Sequence, residues 1–123
     1  VIHSDMPVAE ATRKLITKAL LGGPVTDAQG QLVGWISEQE CLQVTLQVAY
    51  HNTRVSTVDE VMKKDVVAVK LSDDLLDIAQ RMLQPAKPKT YPVVDDNNKV
   101  VGVITRRHLL HMLDTKLIEM GKR

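Results

Sequence analysis

The pattern of apolar positions changes period along the chain, and the same order of changes occurs twice. Helical spacing comes first in each half, carried by Val8, Ala11 and Leu15 and again by Leu76, Ala79 and Leu83. Two short β-prone runs follow, at Val25 with Val33–Ile36 and at Tyr91–Val94 with Val100–Ile104. A longer helix closes each half, and apolar residues share one face of each: Leu42, Leu46 and Ala49 in the first, and Leu110, Leu113, Leu117 and Met120 in the second. The pattern predicts two β-α-β-β-α units.

Local signals predict where the first helix of each unit begins and ends. Ser4 and Ser72 have the side chains preferred at helix N-caps. Gly22-Gly23 is predicted to end the first helix, since glycine adopts the left-handed conformation that ends many helices. Pro85 and Pro88 are predicted to end the second, because proline cannot continue a helix.

Four residues in the predicted hairpins carry conformational information. Gly30 and Asn98 occupy matching places in the turns, and both residue types tolerate a positive φ. Gly34 and Gly102 lie inside strand patterns, which predicts close approach by another backbone or by a ligand. The turn geometry is therefore expected to be shared by the two units.

A short helix is predicted ahead of the second unit. Thr57 and Glu60 have the spacing of a capping box, in which the two side chains satisfy each other's backbone N–H groups. The helix is expected to run through Met62 and Lys63. No counterpart precedes Val1, so the first unit is inferred to lack this lead-in helix here.

The two units match at one fixed offset of 68 residues in the sequence. The identical or similar pairs include Val1 with Val69, Ser4 with Ser72, Asp5 with Asp73, Ala11 with Ala79, Arg13 with Arg81, Leu15 with Leu83, Pro24 with Pro92, Gly34 with Gly102 and Leu42 with Leu110. A single register over that length predicts duplication of one unit.

The composition of the chain argues against several classes of function. The chain has 123 residues, of which 16 are Lys or Arg and 15 are Asp or Glu, so its formal net charge is +1. This balance, with 2% aromatic residues, argues against nucleic acid as a partner. No apolar run approaches the roughly 20 residues of a membrane span, and no signal peptide is visible. The single cysteine, Cys41, fits a reducing compartment, so a cytoplasmic location is expected.

The doubled unit resembles the cystathionine-beta-synthase (CBS) domain, and two such units in tandem resemble a Bateman module. The residues that carry the resemblance are Pro24-Val25-Thr26-Asp27, Gly34-Trp35-Ile36-Ser37, Val58-Asp59-Glu60-Val61-Met62, Pro92-Val93-Val94-Asp95 and Gly102-Val103-Ile104-Thr105. The resemblance implies an α/β (α+β) fold of two units related by pseudo-twofold symmetry. The expected boundaries are residues 1–50 for the first unit, 51–56 for a linker and 57–123 for the second unit.

The resemblance also implies a regulatory, ligand-sensing role rather than catalysis. CBS pairs commonly bind AMP, ADP, ATP or S-adenosylmethionine in clefts between the two units, and they usually dimerise through their helices. Neither a catalytic residue nor a required cofactor is expected. The regulatory ligand would be an adenosine-containing molecule.

In the family, an aspartate three residues after the motif's Ser or Thr accepts hydrogen bonds from the ribose hydroxyls. Here the corresponding pairs are Ser37 with Glu40 and Thr105 with His108. Glu40 keeps the carboxylate with one more methylene, whereas His108 removes it, and a neutral imidazole offers a single acceptor. Ordinary ribose recognition by the second unit is therefore in doubt.

Basic residues in the second unit compensate for the carboxylate that His108 lacks. Lys87, Lys89, Arg106 and Arg107 are predicted to cluster near the start of its closing helix, where Thr105 can donate a hydroxyl. The resemblance to the family implies that adenine packs against Val67, Ala68 and the Tyr91-Pro92 corner. The competing interpretation is that these cations are ordinary solvated surface.

Two other interpretations stay open beside nucleotide sensing. Glu40 and His108 depart from the family pattern, which favours a scaffold or dimerisation module that binds no ligand. Val44, Val48, Tyr50, Leu109 and Met112 lie partly off the predicted helix faces, and this apolar excess predicts a homodimer.

His108 and His111 have a metal-chelating spacing but no third ligand, so no metal site is expected. Cys41 is expected to be a buried hydrophobe.

Overall fold

The computed structural model describes residues 1–51, 54, 56–85 and 89–122. These residues form five helices and six strands, and the strands are arranged in two three-stranded sheets. Contacts divide the chain into unit 1, with residues 1–66 and 97–100, and unit 2, with residues 67–96 and 101–123. The mixed α+β class expected from the sequence is confirmed. The boundaries at 50 and 57 stay predictions, because the contact division follows packing rather than the repeat.

Unit 1 contains three strands and three helices. They are β1 (Ile2–His3), α1 (Val8–Thr17), β2 (Gly22–Thr26), β3 (Leu32–Ser37), α2 (Glu38–His51) and α3 (Val58–Val61). Strand β1 is parallel to β2, which is antiparallel to β3. The core is formed by Ile2, Met6, Val8, Ala11, Leu15, Val25, Ile36, Cys41, Val44 and Val58.

Unit 2 repeats the order β-α-β-β-α. Its elements are β4 (Val69–Lys70), α4 (Leu75–Leu83), β5 (Thr90–Val94), β6 (Val100–Thr105) and α5 (Arg106–Glu119). Strand β4 is parallel to β5, and β6 lies on the other side of β5. The core is formed by Val69, Ile78, Met82, Tyr91, Val93, Ile104 and Leu109.

The first helix of each unit begins later than the sequence predicted. The N-cap residues are Pro7 and Asp74, and the Asp74 carboxylate accepts a hydrogen bond from the Leu76 N–H at 3.0 Å. The prediction of Ser4 and Ser72 as N-caps is wrong, because each lies in the turn that links the first strand to the helix.

Helix α1 ends without glycine. Ala19 adopts the left-handed conformation with φ +53°, and its N–H donates to the Ile16 carbonyl at 3.1 Å. The Leu20 N–H donates to the Leu15 carbonyl at 2.9 Å, which completes a Schellman motif. The prediction that residues 22–23 end the helix is wrong, since they begin β2.

Two other local predictions are confirmed. Gly30 and Asn98 have positive φ values of 82° and 63° in the hairpin turns. Helix α4 ends at Leu83, two residues ahead of Pro85. Pro88 lies outside the described residues.

The units correspond at two offsets rather than one. Ile2 pairs with Val25, and Val69 pairs with Val93. The second strands of the two sheets therefore correspond at 68 residues, whereas the first strands correspond at 67. The single ungapped register predicted from the sequence is wrong ahead of β2.

Burial in the first helices agrees with the offset of 67. Leu15 is 4% exposed, but Leu83, its match at 68 residues, is 76% exposed. Met82, at 67 residues, is 3% exposed and occupies the equivalent core position. Unit 2 therefore has one more residue than unit 1 between the first helix and the second strand.

The inward faces of the closing helices differ in part from the apolar faces named from the sequence. Leu42 and Leu110 are 60% and 69% exposed. The inward residues are instead Cys41, Val44 and half-buried Val48 in α2 and Leu109 in α5, together with half-buried Leu113, which does belong to the face named from the sequence. Both stripes are apolar, so periodicity cannot choose between them. Each helix follows its strand directly, and the joint between strand and helix sets the phase.

The two strand glycines differ in their surroundings. A Cβ built at Gly34 would lie 2.5 Å from the Met62 sulfur and 2.8 Å from the Lys63 carbonyl oxygen. The predicted close approach is therefore confirmed in unit 1. No described atom comes within 4 Å of a Cβ built at Gly102, so no described backbone approaches it closely, and approach by a ligand stays a prediction in unit 2.

Candidate functional site

The joint between β6 and α5 holds the candidate polar residues of unit 2. Thr105 is the N-cap of α5, and its hydroxyl oxygen accepts a hydrogen bond from the His108 N–H at 3.1 Å. The Arg106 N–H donates to the Lys89 carbonyl at 3.2 Å, which fixes the start of the helix against the residue ahead of β5. Thr105 is half-buried, whereas the side chain of His108 is exposed.

Three exposed basic residues lie at or beside the start of α5. Lys89, Arg106 and Arg107 have no ion-pair partner among the residues that the structure describes. The first turn of α5 has no acidic side chain, and a helix N-terminus is itself electropositive. The hydrogen bond to Lys89 brings the backbones of three of the four predicted cations together. The fourth, Lys87, lies outside the described residues.

The expected adenine surface is only partly available to a ligand. Val67 is 41% exposed and Ala68 is half-buried, both just ahead of β4. Tyr91 is 1% exposed and belongs to the core of unit 2, and Pro92 is fully buried beside it. Tyr91 thus contributes its ring to the core, and Val67 is the exposed apolar side chain of this set.

The matching residues of unit 1 hydrogen-bond to each other. The Glu40 carboxylate accepts the Ser37 N–H at 3.2 Å and the Ser37 hydroxyl at 2.5 Å. Glu40 is 9% exposed, so its two oxygens lie close to the start of α2 rather than in open solvent. Glu38, by contrast, is exposed. The carboxylate acts here as a helix-capping group.

The sequence contains a signal for this cap that is distinct from the ribose motif. Ser37 and Glu40 have the Ser-x-x-Glu spacing of a capping box, as Thr57 and Glu60 do. At the second pair the predicted box is confirmed, since the Glu60 carboxylate accepts the Thr57 N–H at 3.1 Å.

Three further side chains were candidates for reactive or metal-binding chemistry, namely Cys41, His108 and His111. Cys41 is 3% exposed in the core of unit 1, as expected for a buried hydrophobe. His108 and His111 are both exposed. Within the described ranges, no three His, Cys, Asp or Glu side chains are grouped as metal ligands. None of the described helices is long and apolar enough to cross a membrane.

Comparison with known proteins bears out the resemblance found in the motifs. The family model of the CBS domain matches residues 1–46 and 58–115. The inosine-5'-monophosphate dehydrogenase of Methanocaldococcus jannaschii is 30% identical over 109 residues, covering 89% of this chain and 20% of that enzyme. The chain therefore spans about a fifth of the length of this relative.

Solved structures support the same assignment. CBSX2, a CBS-pair protein from Arabidopsis thaliana, has been solved in complex with AMP; it is 30% identical, with a TM-score of 0.78 over 94% of this chain and 88% of that chain. The CBS domain pair of protein MJ0100, in complex with 5'-methylthioadenosine and S-adenosyl-L-methionine, is 26% identical, with a TM-score of 0.71 over 91% and 88%. With both of its units matched by the family model, the chain belongs to the CBS domain family.

Proposed function

We propose that the chain is a regulatory module that senses an adenosine-containing nucleotide, with its ligand site on unit 2. The observation that carries the proposal is the group of three cations at the start of α5, beside Thr105, for which no described residue is an ion-pair partner. Two similar CBS proteins have been solved with AMP or with S-adenosyl-L-methionine and 5'-methylthioadenosine. AMP, ADP, ATP and S-adenosylmethionine are therefore the ligands to test.

Each candidate residue has a role that follows from its chemistry. Arg106 and Arg107 would hold phosphate oxygens by charge-assisted hydrogen bonds at the electropositive end of α5, with Lys89 as a further charge. The Thr105 hydroxyl hydrogen remains available as a donor, because the hydroxyl oxygen is the acceptor for the His108 N–H. His108 would hold one ribose hydroxyl.

The adenine ring would rest on the residues that lead into β4. Val67 offers an exposed apolar side chain and Ala68 a small one, which allows a flat ring to approach the backbone. The Tyr91–Pro92 corner would contribute backbone groups, because both side chains are buried in unit 2. We assign the ligand's apolar contact chiefly to Val67.

Ser37 and Glu40 would have only a secondary role in ligand binding. A ribose that used the Glu40 carboxylate would compete with the two hydrogen bonds that it accepts from Ser37. Breaking a charge-assisted hydrogen bond costs about 1.5–3 kcal/mol. We therefore expect one nucleotide per chain, on unit 2, at ligand concentrations that saturate the tighter site.

Titration calorimetry with the four ligands tests the proposal. At least one should bind, and the double substitution R106A/R107A should weaken it by about 10- to 100-fold if one charge-assisted hydrogen bond is lost. Lys116→Ala, an exposed cation further along α5, is the matched control and should leave affinity unchanged. Absence of heat with all four ligands, or equal weakening by the control, would contradict the proposal.

A second candidate function is that of a dimerisation module that binds no ligand. It is favoured by a groove of about 780 Å³ between α1 and α2, to which Ile16, Leu20 and Leu42 contribute. The exposed Leu110 and Leu117 give α5 a similar apolar surface. We propose a homodimer through these faces in either case, in the cytoplasm and acting on a regulated partner. Sedimentation of Leu42→Glu and Leu110→Glu should show dissociation to monomers, with Lys116→Ala as the unaffected control.

A further inference from the structure

The first turns of the two closing helices carry opposite charge. At the offset of 68 residues, residues 38–40 of α2, Glu-Gln-Glu, correspond to residues 106–108 of α5, Arg-Arg-His. The difference extends beyond these three positions, because residues 33–45 include two acidic side chains and residues 101–113 include none. A ligand at the start of α5 therefore meets no carboxylate from β6 or from the first two turns of the helix.

The third residue of each closing helix differs in its contacts as well as in its charge. In unit 1 the Glu40 carboxylate is nearly buried and accepts the Ser37 N–H at 3.2 Å and the Ser37 hydroxyl at 2.5 Å. In unit 2 the imidazole of His108 is exposed, and the contact to Thr105 is made by the His108 backbone N–H. The position that holds a buried carboxylate in unit 1 thus holds an exposed imidazole in unit 2.

The two side chains at this position favour different forms of a ribose. A carboxylate only accepts hydrogen bonds, so it matches free ribose hydroxyls and repels a phosphate. In dinucleotide-binding folds an acidic residue likewise binds the free 2′-hydroxyl, whereas a nearby arginine accommodates a 2′-phosphate. In α5 the imidazole of His108 offers a ring N–H donor, and Arg107 directly precedes it. The start of α5 therefore has the chemistry of a site for a phosphorylated ribose.

The positive charge at the start of α5 exceeds the charge of a single 5′-phosphate. Lys89, Arg106 and Arg107 are exposed, and no described residue is an ion-pair partner of any of them. The hydrogen bond from the Arg106 N–H to the Lys89 carbonyl, at 3.2 Å, holds the backbone of Lys89 at the helix start. A phosphate monoester carries about 1.5–2 negative charges at neutral pH, so a second phosphate on the ligand would match the remaining positive charge.

On the basis of the nucleotide site proposed above, we infer that unit 2 selects adenine nucleotides with a phosphate on the ribose 2′ or 3′ oxygen in addition to the 5′-phosphate. Arg106 and Lys89 hold the 5′-phosphate, and Arg107 and the imidazole of His108 hold the phosphate on the ribose. The same charges disfavour S-adenosylmethionine, whose sulfonium group is cationic.

Titration calorimetry with AMP, ADP, adenosine 2′,5′-bisphosphate and adenosine 3′,5′-bisphosphate tests this ligand class. At least one bisphosphate should bind about tenfold or more tightly than AMP, because one added charge-assisted hydrogen bond is worth at least that factor. ADP is the matched control ligand, since its second phosphate extends the 5′ chain, and it should bind more weakly than the preferred bisphosphate. Comparison of the two bisphosphates identifies the ribose oxygen that carries the phosphate.

A substitution at His108 tests whether the selection arises at this position. His108→Asp introduces a carboxylate at an exposed position in the first turn of α5, where an acidic side chain is favourable for the helix. It should reverse the preference, so that AMP binds more tightly than either bisphosphate. His111→Asp makes the same change of charge at an exposed position one turn further along α5. This control variant should keep the preference for the bisphosphate.

The possible failures of this ligand class and of the nucleotide site give different results. Equal affinity for AMP and the bisphosphates, or ADP binding as tightly as the bisphosphates, would overturn the selection and leave an adenine-nucleotide site on unit 2. Loss of the preference in His111→Asp as well as in His108→Asp would overturn the assignment to His108, because net charge alone would then set the affinity. Absence of binding by all four nucleotides would overturn both this ligand class and the proposed function.

Discussion

The carboxylate of Glu40 accepts two hydrogen bonds from Ser37, the residue that precedes α2. One comes from the backbone N–H and one from the hydroxyl, so the pair closes the start of the helix. At the matching place in unit 2, Thr105 accepts the His108 N–H with its hydroxyl oxygen, and a cationic rather than an acidic side chain follows. Equivalent joints thus carry different chemistry.

Removing the Glu40 carboxylate should lower stability without weakening the nucleotide site of unit 2. We expect Glu40→Ala to reduce the free energy of unfolding by about 1 kcal/mol, a typical value for losing a helix cap. Urea unfolding measures this change, and Glu38→Ala, an exposed residue in the same turn, is the control. If adenylate affinity fell as much in Glu40→Ala as in the R106A/R107A variant, Glu40 would be a ligand contact and the capping account would be incomplete.

The sequence predicted the strands and turns of both units better than the phase of their helices. The Pro-Val runs and the Gly30 and Asn98 turns have local chemistry that permits few alternatives. In α2 and α5, adjacent stripes are both apolar, and the side that packs inward depends on the joint with the preceding strand. The identity of Leu15 with Leu83 suggested one register, yet burial places Met82 in the position of Leu15.

The sequence likewise predicted only part of the candidate site. Arg106 and Arg107 are adjacent in sequence, and the hairpin of β5 and β6 places Lys89, just ahead of β5, beside the end of β6, so their proximity followed from the element order. The role of Glu40 did not, because Ser-x-x-Glu serves equally as a capping box and as a variant of the ribose motif. The cover of β3 by Met62 and Lys63 depends on contacts within unit 1 that no local pattern specifies.

Replacing Ala19 should stabilise the protein. Ala19 ends α1 at φ +53°, where its Cβ costs about 1–2 kcal/mol, part of which glycine's greater freedom in the unfolded chain offsets. We expect Ala19→Gly to raise the free energy of unfolding by about 0.5–1 kcal/mol. Chemical denaturation of the two proteins measures the difference.

The C-terminus of α5 provides the matched reverse substitution. Gly121 has φ +70°, and its N–H and that of Lys122 donate to the Ile118 and Leu117 carbonyls in the same Schellman pattern. Gly121→Ala should therefore lower local stability near the end of α5, seen as faster amide exchange at Lys122. Stabilisation by both substitutions, or by neither, would contradict a common cause in the left-handed conformation.

Acid should weaken the cap of α3 in a defined pH range. The Arg54 guanidinium and the Thr57 hydrogen bonds lower the pKa of the Glu60 carboxyl from 4.5 to about 2. A lowered pKa in the folded state means that this stabilisation is fully present above pH 4.5 and is lost as the pH falls toward 2.

Melting temperatures of the parent chain and of Glu60→Gln, measured between pH 2 and 6, test this assignment. The difference between them should be largest above pH 4.5 and should shrink toward pH 2. It should also be small and reduced by salt, because the ion pair with Arg54 is solvent-exposed. A difference that stayed constant over the whole range would mean that the Glu60 charge does not stabilise α3.

Gly34 and Gly102 should respond in opposite ways to the same substitution. Alanine at position 34 would bring its Cβ against the Met62 sulfur and the Lys63 carbonyl, and such overpacking costs about 1–3 kcal/mol. Alanine at position 102 meets no described atom within 4 Å and removes a flexible residue from β6, so stability should be unchanged or raised by about 0.5–1 kcal/mol. Urea midpoints of Gly34→Ala, Gly102→Ala and the parent decide the matter. Equal destabilisation by the two variants would show that the surroundings of the two glycines do not differ in solution.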